Sequence, residues 1–374
     1  MRIAMFGQKR IPSREGGVEI VVEELSIRMA ALGHKVTCYN RKGHHVSGSQ
    51  YDTFTGKEYK NVKIKTVPTI EKKGLAAVSS SFFAALCSLF GRYDVVHIHA
   101  EGPAAFCFIP KFFRKRVIVT VHGLDWQREK WKSGFGAKYI HFGEKMAVKH
   151  ADEIIVLSKG VQRYFMDTYG RETVFIPNGV NRPEIKPADI INKRFGLSKD
   201  SYILYLGRIV PEKGEHYLID AFKQIDTDKK LVIAGGSSDT DEYMDRLKKK
   251  AQGNERIMFT GFVQGQMLEE LYSNAYIYVL PSDLEGMPLS LLEAMSYGNC
   301  CLVSDIKECT EVIEDKAEVF RKSDIDDLRM RLQELCNRED LVQKYKEDAT
   351  EYICGRYDWN KIVDKTLELY EGER

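Results

Sequence analysis

Two glutamates that flank a predicted helix start are the most informative candidates for chemistry. The segment LPSDLEGMPLSLLEAMSYG, residues 280–298, has Glu285 in a predicted loop and Glu293 in the helix that follows. Pro288 suits the first turn of that helix because proline has no N–H group. The free N–H groups of that turn would bind phosphate and the carboxylates would accept from sugar hydroxyls, which predicts a ligand with both groups. The alternative is a loop glutamate and a surface helix glutamate without a shared ligand.

A second segment places two cations after a predicted strand. The residues LGRIVPEKG continue the strand Tyr202–Leu206 and contain Arg208 and Lys213. Gly207 allows a ligand to approach the backbone closely, and Gly214 begins the next helix. Arginine offers a planar fork to phosphate oxygens and lysine offers a point charge, so we expect both side chains to bind one diphosphate.

Two loops in the first half of the chain add weaker candidates. Gly16 and Gly17 join the first predicted strand to the first helix, which suits phosphate binding. The pattern is not the G-x-G-x-x-G fingerprint of a dinucleotide site. His122 follows the strand Val117–Val121 and is a further candidate, with a histidine satisfied inside the core as the alternative.

The alternating run VHIHAE places His97 and His99 on one face of a strand. A metal pair is conceivable there, but no third ligand is evident, and we predict neither a metal site nor a cofactor. His99 and Glu101 could instead bind an acceptor hydroxyl, and Arg14 and Asp125 in the neighbouring loops are further candidates for that contact. Three Asp-x-Asp pairs fall in polar loops or helix starts, where aspartate commonly caps helices.

These loops must be positioned by parallel sheets. Short apolar runs alternate with helical patterns along the chain, which predicts an α/β fold with buried parallel strands. The pattern restarts at Tyr202 after the turn-rich sequence IPNGVNRP, so we predict two doubly wound domains, residues 1–176 and 177–355, facing each other across a cleft. Residues 356–374 form a closing amphipathic helix. Ligands of such sheets bind at the carboxyl ends of the strands, where these loops lie.

Composition and charge exclude several function classes. The 374 residues include 56 Lys and Arg against 54 Asp and Glu, and a net charge of +2 disfavours a general nucleic-acid binder. The eight cysteines show no C-x-x-C pair, which predicts reduced core thiols in a cytoplasmic protein. We expect no signal peptide, and no apolar run reaches the about 18 residues of a membrane-spanning helix.

These motifs together resemble family 4 of the retaining nucleotide-sugar glycosyltransferases, which have the GT-B fold of two Rossmann-like domains. The resemblance covers essentially the whole chain and rests on Glu285-x7-Glu293, GRIVPEKG, IPNGV, the Gly-Gly loop and the closing helix in the expected order. The loop IPSREGGVE is similar to bacterial rhamnosyl and hexosyl transferases of surface polysaccharide synthesis, such as capsule or exopolysaccharide. One departure is Asn299-Cys300, where the family usually has proline after the glycine.

The resemblance implies metal-independent transfer of a sugar, with retention, from a donor held by the second domain to an acceptor held by the first. Arg208 and Lys213 would neutralise the donor diphosphate, and Glu285 and His122 would contact the donor sugar. Glu293 would bind the ribose hydroxyls, and the closing helix would pack on the first domain. The other implied donor contacts are Gly16, Gly17, Gly207, Gly235, Gly261, Phe262, Val263, Gly286, Met287, Pro288 and Leu289.

The partners follow from the same resemblance. We expect a UDP-hexose donor, with dTDP-rhamnose and a GDP-sugar as alternatives, and a glycan acceptor such as a lipid-linked oligosaccharide. The basic, aromatic stretches Lys111–Arg116 and Arg128–Lys149 predict peripheral contact with the cytoplasmic membrane leaflet, although a charged surface explains them equally well. Two other functions stay open, a nucleotide-sugar epimerase of the same fold and a catalytically silent nucleotide-sugar-binding subunit.

Overall fold

The chain forms two compact units. The computed structural model describes residues 1–45, 48–51, 54–72, 74–127, 134–237 and 241–372. Unit 1 contains Met1–Asn178 and Trp359–Arg374, and unit 2 contains Gly179–Asp358. Each unit is built on its own sheet, as predicted from the alternation of apolar runs and helical patterns.

Unit 1 is built on a largely parallel sheet. Its strands are β1 (Arg2–Phe6), β2 (Lys35–Arg41), β3 (Glu58–Tyr59), β4 (Val62–Val67), β5 (Val95–His99), β6 (Arg116–Val121), β7 (Glu153–Val156) and β8 (Val174–Phe175). Over the described residues their order is β3-β4-β2-β1-β5-β6-β7-β8, and only the short β3 runs antiparallel to its neighbour. The strands that follow β1 in the sequence lie first on one side of it and then, from β5 onward, on the other. This reversal of the strand order between β1 and β5 creates a crevice at their carboxyl ends.

Helices join these strands and bury their apolar side chains on the sheet. In the helix after β1, the buried residues Val21, Val22, Leu25 and Met29 recur at helical spacing. Every residue of β5 is buried, as expected for a strand in the middle of a parallel sheet. The helices are α1 (Gly17–Ala31), α2 (Leu75–Ser88), α3 (Glu101–Ala104), α4 (Phe108–Phe112), α5 (Phe135–His150) and α6 (Lys159–Tyr169).

Unit 2 contains a second, wholly parallel sheet. Its strands are β9 (Tyr202–Leu206), β10 (Lys230–Ala234), β11 (Ile257–Gly261), β12 (Ile277–Leu280), β13 (Cys300–Ser304) and β14 (Glu318–Phe320). In the described part of the chain their order is β11-β10-β9-β12-β13-β14, so the direction of winding reverses between β9 and β12. The helices are α7 (Ile190–Phe195), α8 (Glu215–Phe222), α9 (Asp241–Ala251), α10 (Gln266–Ser273), α11 (Leu289–Ser296), α12 (Lys307–Ile313), α13 (Ile325–Asn337) and α14 (Glu339–Arg356).

The last helix, α15 (Trp359–Glu371), belongs to unit 1 although it follows unit 2 in the sequence. Its buried residues, from Trp359 to Tyr370, lie on one face of the helix. The guanidinium of Arg28 on α1 lies 5.9 Å from the ring centroid of Trp359. Arg116 Nε on β6 donates to the carbonyl oxygen of Leu369 at 2.8 Å. The predicted return of the closing helix to the first domain is therefore confirmed.

Candidate active site

The two loops at the reversal point of the unit 2 sheet contact each other. The backbone N–H of Asp283, after β12, donates to the carbonyl of Glu212, after β9, at 2.9 Å. Gly214 has a φ of +72°, and a Cβ atom there would lie 2.1 Å from the carbonyl oxygen of Pro281. Glycine is therefore required by both conformation and space. The fold thus brings together the two segments that the sequence singled out.

Lys213 and Glu285 form an ion pair in these loops. The ammonium of Lys213 donates to Oε1 of Glu285, and the two side chains are 14% and 7% exposed. The hydroxyl of Ser282 donates to the same oxygen at 2.7 Å. The sequence predicted separate roles for Lys213 and Glu285 and gave no sign that they would pair. A ligand that uses both side chains must therefore rearrange this contact.

A neighbouring aspartate, which the sequence analysis did not select, holds the loop after β12. Asp283 accepts from the hydroxyl of Tyr217 at 3.0 Å and from the hydroxyl of Ser323 at 2.7 Å. Tyr217 lies on α8, so Asp283 ties the loop of Glu285 to the helix that follows Lys213. Nothing in its local sequence distinguishes this aspartate from an ordinary turn residue.

Three glycines line the same edge of the sheet. Gly207, Gly235 and Gly261 lie at or just beyond the ends of β9, β10 and β11. The N–H of Gly235 donates to the carbonyl of Gly261 at 2.9 Å. Gly235 has a φ of +153°, and a Cβ atom there would lie 1.8 Å from the carbonyl oxygen of Gly207. This edge is therefore formed by closely packed backbone, with Arg208 and Phe262 partly exposed beside it.

The start of α11 differs slightly from the prediction. Pro288 is the residue that precedes the helix, with a φ of −75° and a ψ of 101°, rather than a residue of its first turn. Its carbonyl accepts from the N–H groups of Leu291 and Leu292 at 3.1 and 3.3 Å. Glu293 lies on the helix and accepts from the hydroxyl of Tyr272 at 3.2 Å. Val263, Gly286, Met287, Pro288 and Leu289 are buried.

A buried acid lies directly after the Lys213 loop. Glu215 is fully buried at the start of α8, and its Oε2 accepts from the hydroxyl of Tyr243 at 3.1 Å. Burial raises the pKa of Glu215 to about 8, and the positive charge of Lys213 partly opposes that shift. The sequence analysis missed Glu215. The available signal was the position of Glu215, which follows Gly214, the glycine predicted to begin the helix, and precedes the apolar residues of that helix.

In unit 1 the glycine loop adjoins the end of β5. α1 begins at Gly17, and Gly16 before it has an extended backbone with a φ of −169°. A Cβ atom on Gly7, at the end of β1, would lie 2.0 Å from the carbonyl oxygen of His99. The loop that contains the partly exposed Arg14 therefore begins beside the strand that carries His99.

His97 and His99 of β5 and His122, which follows β6, form two sets of hydrogen bonds. His97 is bonded at both ring nitrogens, Nδ1 to the hydroxyl of Tyr370 at 2.6 Å and Nε2 to that of Thr120 at 2.7 Å. His99 Nδ1 lies 3.1 Å from Nε2 of His122. Burial lowers the pKa of His97 to about 3 and that of His99 well below its usual value.

This arrangement does not support the metal pair considered for His97 and His99, because hydroxyl groups already occupy both nitrogens of His97. Within the ranges that the structure describes, no group of three or more His, Cys, Asp or Glu side chains could hold a metal ion.

The expected acceptor contacts of His99 and Glu101 disagree with their burial. Their side chains are 0% and 1% exposed. Oε2 of Glu101 accepts from the backbone N–H of Asp125 at 2.8 Å. Burial raises the pKa of Glu101 well above its usual value, and the neighbouring carboxyl groups of Asp125 and Glu144 add to that shift. Asp125 itself is partly exposed.

The predicted basic, aromatic stretch Lys111–Arg116, which begins at the end of α4, exposes large apolar side chains. Phe112 is 82% exposed and Phe113 is 56% exposed. The second predicted stretch is Arg128–Lys149. Its residues 128–133, which include Trp131, lie outside the described residues. The side chain of Phe135 is not described either. The helices that are described include none long and apolar enough to cross a membrane.

Comparison with known proteins agrees with this architecture. Residues 15–182 match the family model of Glycosyltransferase Family 4, and residues 188–352 match that of Glycosyl transferases group 1. The uncharacterized glycosyltransferase MJ1607 of Methanocaldococcus jannaschii is 26% identical, with 99% of this chain and 98% of the relative covered. The UDP-Gal:alpha-D-GlcNAc-diphosphoundecaprenol alpha-1,3-galactosyltransferase of Escherichia coli is 27% identical, with 75% of each chain covered.

A solved structure extends the agreement to the fold. Anabaena Alr3699/HepE in complex with UDP and glucose has a TM-score of 0.82 at 15% identity, over 100% of this chain and 99% of that chain. This likeness confirms the predicted two-domain GT-B fold. The two family models together span most of the chain, one on each side of residue 185. The protein is therefore a glycosyltransferase that joins a family 4 domain to a group 1 domain.

Proposed function

We propose that this glycosyltransferase transfers a sugar from a nucleotide diphosphate sugar to a hydroxyl group of a glycan, and that unit 2 binds the donor. The observation that carries the proposal is the Lys213–Glu285 pair beside the glycine-lined edge of the unit 2 sheet. Cations, backbone amides and a carboxylate are the groups that a diphosphate and sugar hydroxyls need. UDP in HepE and UDP-Gal in the name of the Escherichia coli relative support the same donor class.

On binding, the donor would replace the contact between Lys213 and Glu285 with contacts of its own to each side chain. Lys213 turns from Glu285 toward the diphosphate, where Arg208 also acts. Oε1 of Glu285 already accepts from Ser282, so Oε2 is the oxygen that would accept from a sugar hydroxyl. Glu293, on α11, would accept from the ribose hydroxyls. Arg208 and Lys213 would stabilise the charge that develops on the leaving nucleoside diphosphate, and we propose that the reaction proceeds without a metal ion.

We propose retention of configuration at the transferred sugar. The acceptor hydroxyl attacks the anomeric carbon from the side on which the diphosphate leaves, and a phosphate oxygen takes its proton. The carbon–oxygen bond to the diphosphate breaks, and its electron pair leaves with the nucleoside diphosphate. The anomeric configuration of the isolated product tests this assignment.

Unit 1 would contribute the remaining contacts. We assign His122, Gly16 and Gly17 to the donor, and Arg14 and Asp125, which are partly exposed, to the acceptor. The exposed rings of Phe112 and Phe113 beside basic residues suit the surface of an anionic cytoplasmic leaflet. We therefore propose a lipid-linked oligosaccharide of bacterial surface polysaccharide synthesis as the acceptor.

The test combines donor binding with nucleotide release. UDP-, GDP- and dTDP-sugars are added to the purified protein, thermal shift is recorded, and nucleotide release is measured with and without membrane extract. We expect a UDP-hexose to raise the melting temperature by several degrees and to release UDP only with extract. Stabilisation by dTDP-rhamnose or a GDP-sugar alone would replace the proposed donor.

Two variants distinguish the loss of donor binding from a general effect on folding. Lys213→Met should lose the donor-dependent shift and the release, because it removes one of the two phosphate-binding cations. Lys250→Met is the matched control, since Lys250 is also paired with a carboxylate in unit 2, Asp220, at 2.6 Å. It should keep both signals. No shift with any nucleotide sugar would overturn the proposal, and binding without release would favour the silent subunit. Conversion of the donor to an epimer without acceptor would favour the epimerase.

A further inference from the structure

Ser282 lies in the loop between the end of β12 and Glu285, and it is fully buried. Its hydroxyl donates to Oε1 of Glu285, three residues further along the chain, at 2.7 Å. The ammonium of Lys213 donates to the same oxygen. One oxygen of the carboxylate is therefore held by two donors, of which Lys213 is charged and Ser282 is neutral.

The backbone of Ser282 is fixed by the neighbouring strand. Its carbonyl accepts from the hydroxyl of Ser304, which is fully buried and is the last residue of β13. Ser304 pairs in turn with Phe320 of β14. Because a serine side chain has a single heavy-atom torsion, a fixed backbone leaves its hydroxyl oxygen only a few staggered positions. Ser282 is thus a rigid donor, whereas Lys213 reaches Glu285 on a flexible four-carbon chain.

A diphosphate would affect these two donors differently. It competes for the ammonium of Lys213, since hydrogen bonds between a cation and phosphate oxygens are among the strongest in proteins. The neutral, buried hydroxyl of Ser282 has no such gain and stays with Glu285. A carboxylate that is held at Oε1 cannot exchange its two oxygens by rotation, so Oε2 keeps one direction after Lys213 has turned away.

We propose that Ser282 is a positioning residue for recognition of the donor sugar. Its hydroxyl holds Oε1 of Glu285, so that Oε2 is presented to a sugar hydroxyl once Lys213 binds the diphosphate. This inference rests on the proposed function, in which Glu285 contacts the donor sugar, and all of its residues lie in unit 2.

Two ligands that share a diphosphate test the inference. The probes are UDP-glucose and UDP, or the matching pair for the donor that thermal shift selects, and titration calorimetry gives the Kd of each. In the proposed function both ligands draw Lys213 away from Glu285, so the ratio of the Kd for UDP-glucose to the Kd for UDP cancels that step. The ratio therefore reports the contribution of the sugar.

Ser282→Ala removes the hydroxyl that bonds Glu285. We expect it to raise the Kd ratio on the order of 10-fold, which is the lower end of the effect of a hydrogen bond to a charged group. Glu285→Ala should raise the ratio at least as much. In the double variant, Ser282→Ala should add nothing to Glu285→Ala, because Ser282 acts through that carboxylate. Additive effects would overturn the proposal.

Ser296→Ala is the matched control. Ser296 is another buried serine of unit 2, but its hydroxyl donates to the backbone carbonyl of Glu293 at 2.7 Å. Glu293 is assigned to the ribose, which both ligands contain, so the control should keep the Kd ratio of the wild type. A rise in the ratio equal to that of Ser282→Ala would show a general effect of losing a buried hydroxyl and would overturn the proposal.

A crystal structure of the wild type with UDP-glucose needs no variant to fold. We expect Lys213 to contact the diphosphate and Oε1 of Glu285 to remain within hydrogen-bond distance of the Ser282 hydroxyl. A Glu285 side chain that has left Ser282 in this complex would overturn the proposal.

The inference and the proposed function fail in different ways. If Glu285→Ala raises the Kd ratio and Ser282→Ala does not, the role of Ser282 is wrong and the proposed function stands. If neither variant changes the ratio, the contact of Glu285 with the sugar is wrong, and the role of Ser282 is wrong with it. If no nucleotide sugar binds the wild type, the proposed function itself fails.

Discussion

The ammonium of Lys213 and the carboxylate of Glu285 are partners in unit 2 although 72 positions of sequence separate them. Both side chains are largely buried, so each charge depends on the other for compensation. In the proposed function, Lys213 faces the donor only after a more strongly anionic group replaces Glu285. A diphosphate carries more negative charge than a single carboxylate and can make that replacement.

This mutual dependence predicts non-additive effects on stability. Lys213→Met should lower the free energy of unfolding by about 1 to 3 kcal/mol, because it leaves the Glu285 carboxylate buried with less compensation. The double variant Lys213→Met, Glu285→Gln should lose less than the sum of the two single variants. Urea unfolding of all three proteins measures the difference. Additive losses would show that the pair is not coupled.

The glycine-lined edge of unit 2 predicts a severe effect of one methyl group. Gly235→Ala would place Cβ 1.8 Å from the carbonyl oxygen of Gly207, at a φ of +153°. We expect a lower melting temperature and a weaker donor-induced shift, because the backbone that borders the site must move. Gly355→Ala is the control. That glycine lies within α14, and its Cβ would meet open space, so the variant should be as stable as the wild type or slightly more stable.

The buried carboxyl of Glu215 predicts a pH dependence of stability. Its pKa is about 8 in the folded state against a usual value of 4.5. Between these two values the folded state keeps a proton that the unfolded state releases, so the contribution of Glu215 to stability falls as pH rises from about 4.5 to 8. Glu215→Gln mimics the protonated form and should gain in melting temperature over the wild type as pH rises through that window.

Thermal unfolding from pH 5 to pH 8 checks this prediction. Glu212→Gln, in the preceding loop, controls for the loss of one negative charge and should run parallel to the wild type. Parallel curves for Glu215→Gln and the wild type would contradict the prediction.

The contact between α15 and β5 predicts a cost for removing one hydroxyl group. Tyr370→Phe deletes the partner of His97 Nδ1 in a fully buried site and should lower the free energy of unfolding by about 1 to 3 kcal/mol. Combining it with His97→Phe should cost less than the two losses together, since both variants remove the same bond. Chemical denaturation followed by circular dichroism would measure these changes. A stability equal to that of the wild type would show that the hydroxyl contributes nothing.

Much of the fold could be predicted because strands buried on both faces read as continuous apolar runs. β9 has the predicted bounds, Tyr202–Leu206, and β6 begins one residue before the predicted strand Val117–Val121. β3 and β14 were not predicted, since segments of two and three residues with glutamate at the first position carry too little pattern. Loop segments such as GRIVPEKG were recognisable because glycine and proline mark the ends of strands and the starts of helices.

The partners within the candidate site could not be predicted. Which loops meet depends on strand order, and the pairing of Lys213 with Glu285 requires β9 and β12 to be neighbours. The exposure of a candidate residue could not be predicted either. His99 lies at the end of a strand, and whether its side chain is exposed or buried depends on which elements cover that edge of the sheet. Glu215 illustrates the same limit, since a glutamate at a helix start is more often exposed.

The place of α15 in unit 1 has a consequence for how the chain folds during its synthesis. Unit 2 has all its residues once Asp358 leaves the ribosome, whereas unit 1 still lacks the helix that covers α1 and supplies the hydroxyl for His97. The first unit to be translated is thus the last to be finished, and a nascent chain cut short before residue 359 exposes a buried histidine and an apolar helix face to chaperones and proteases.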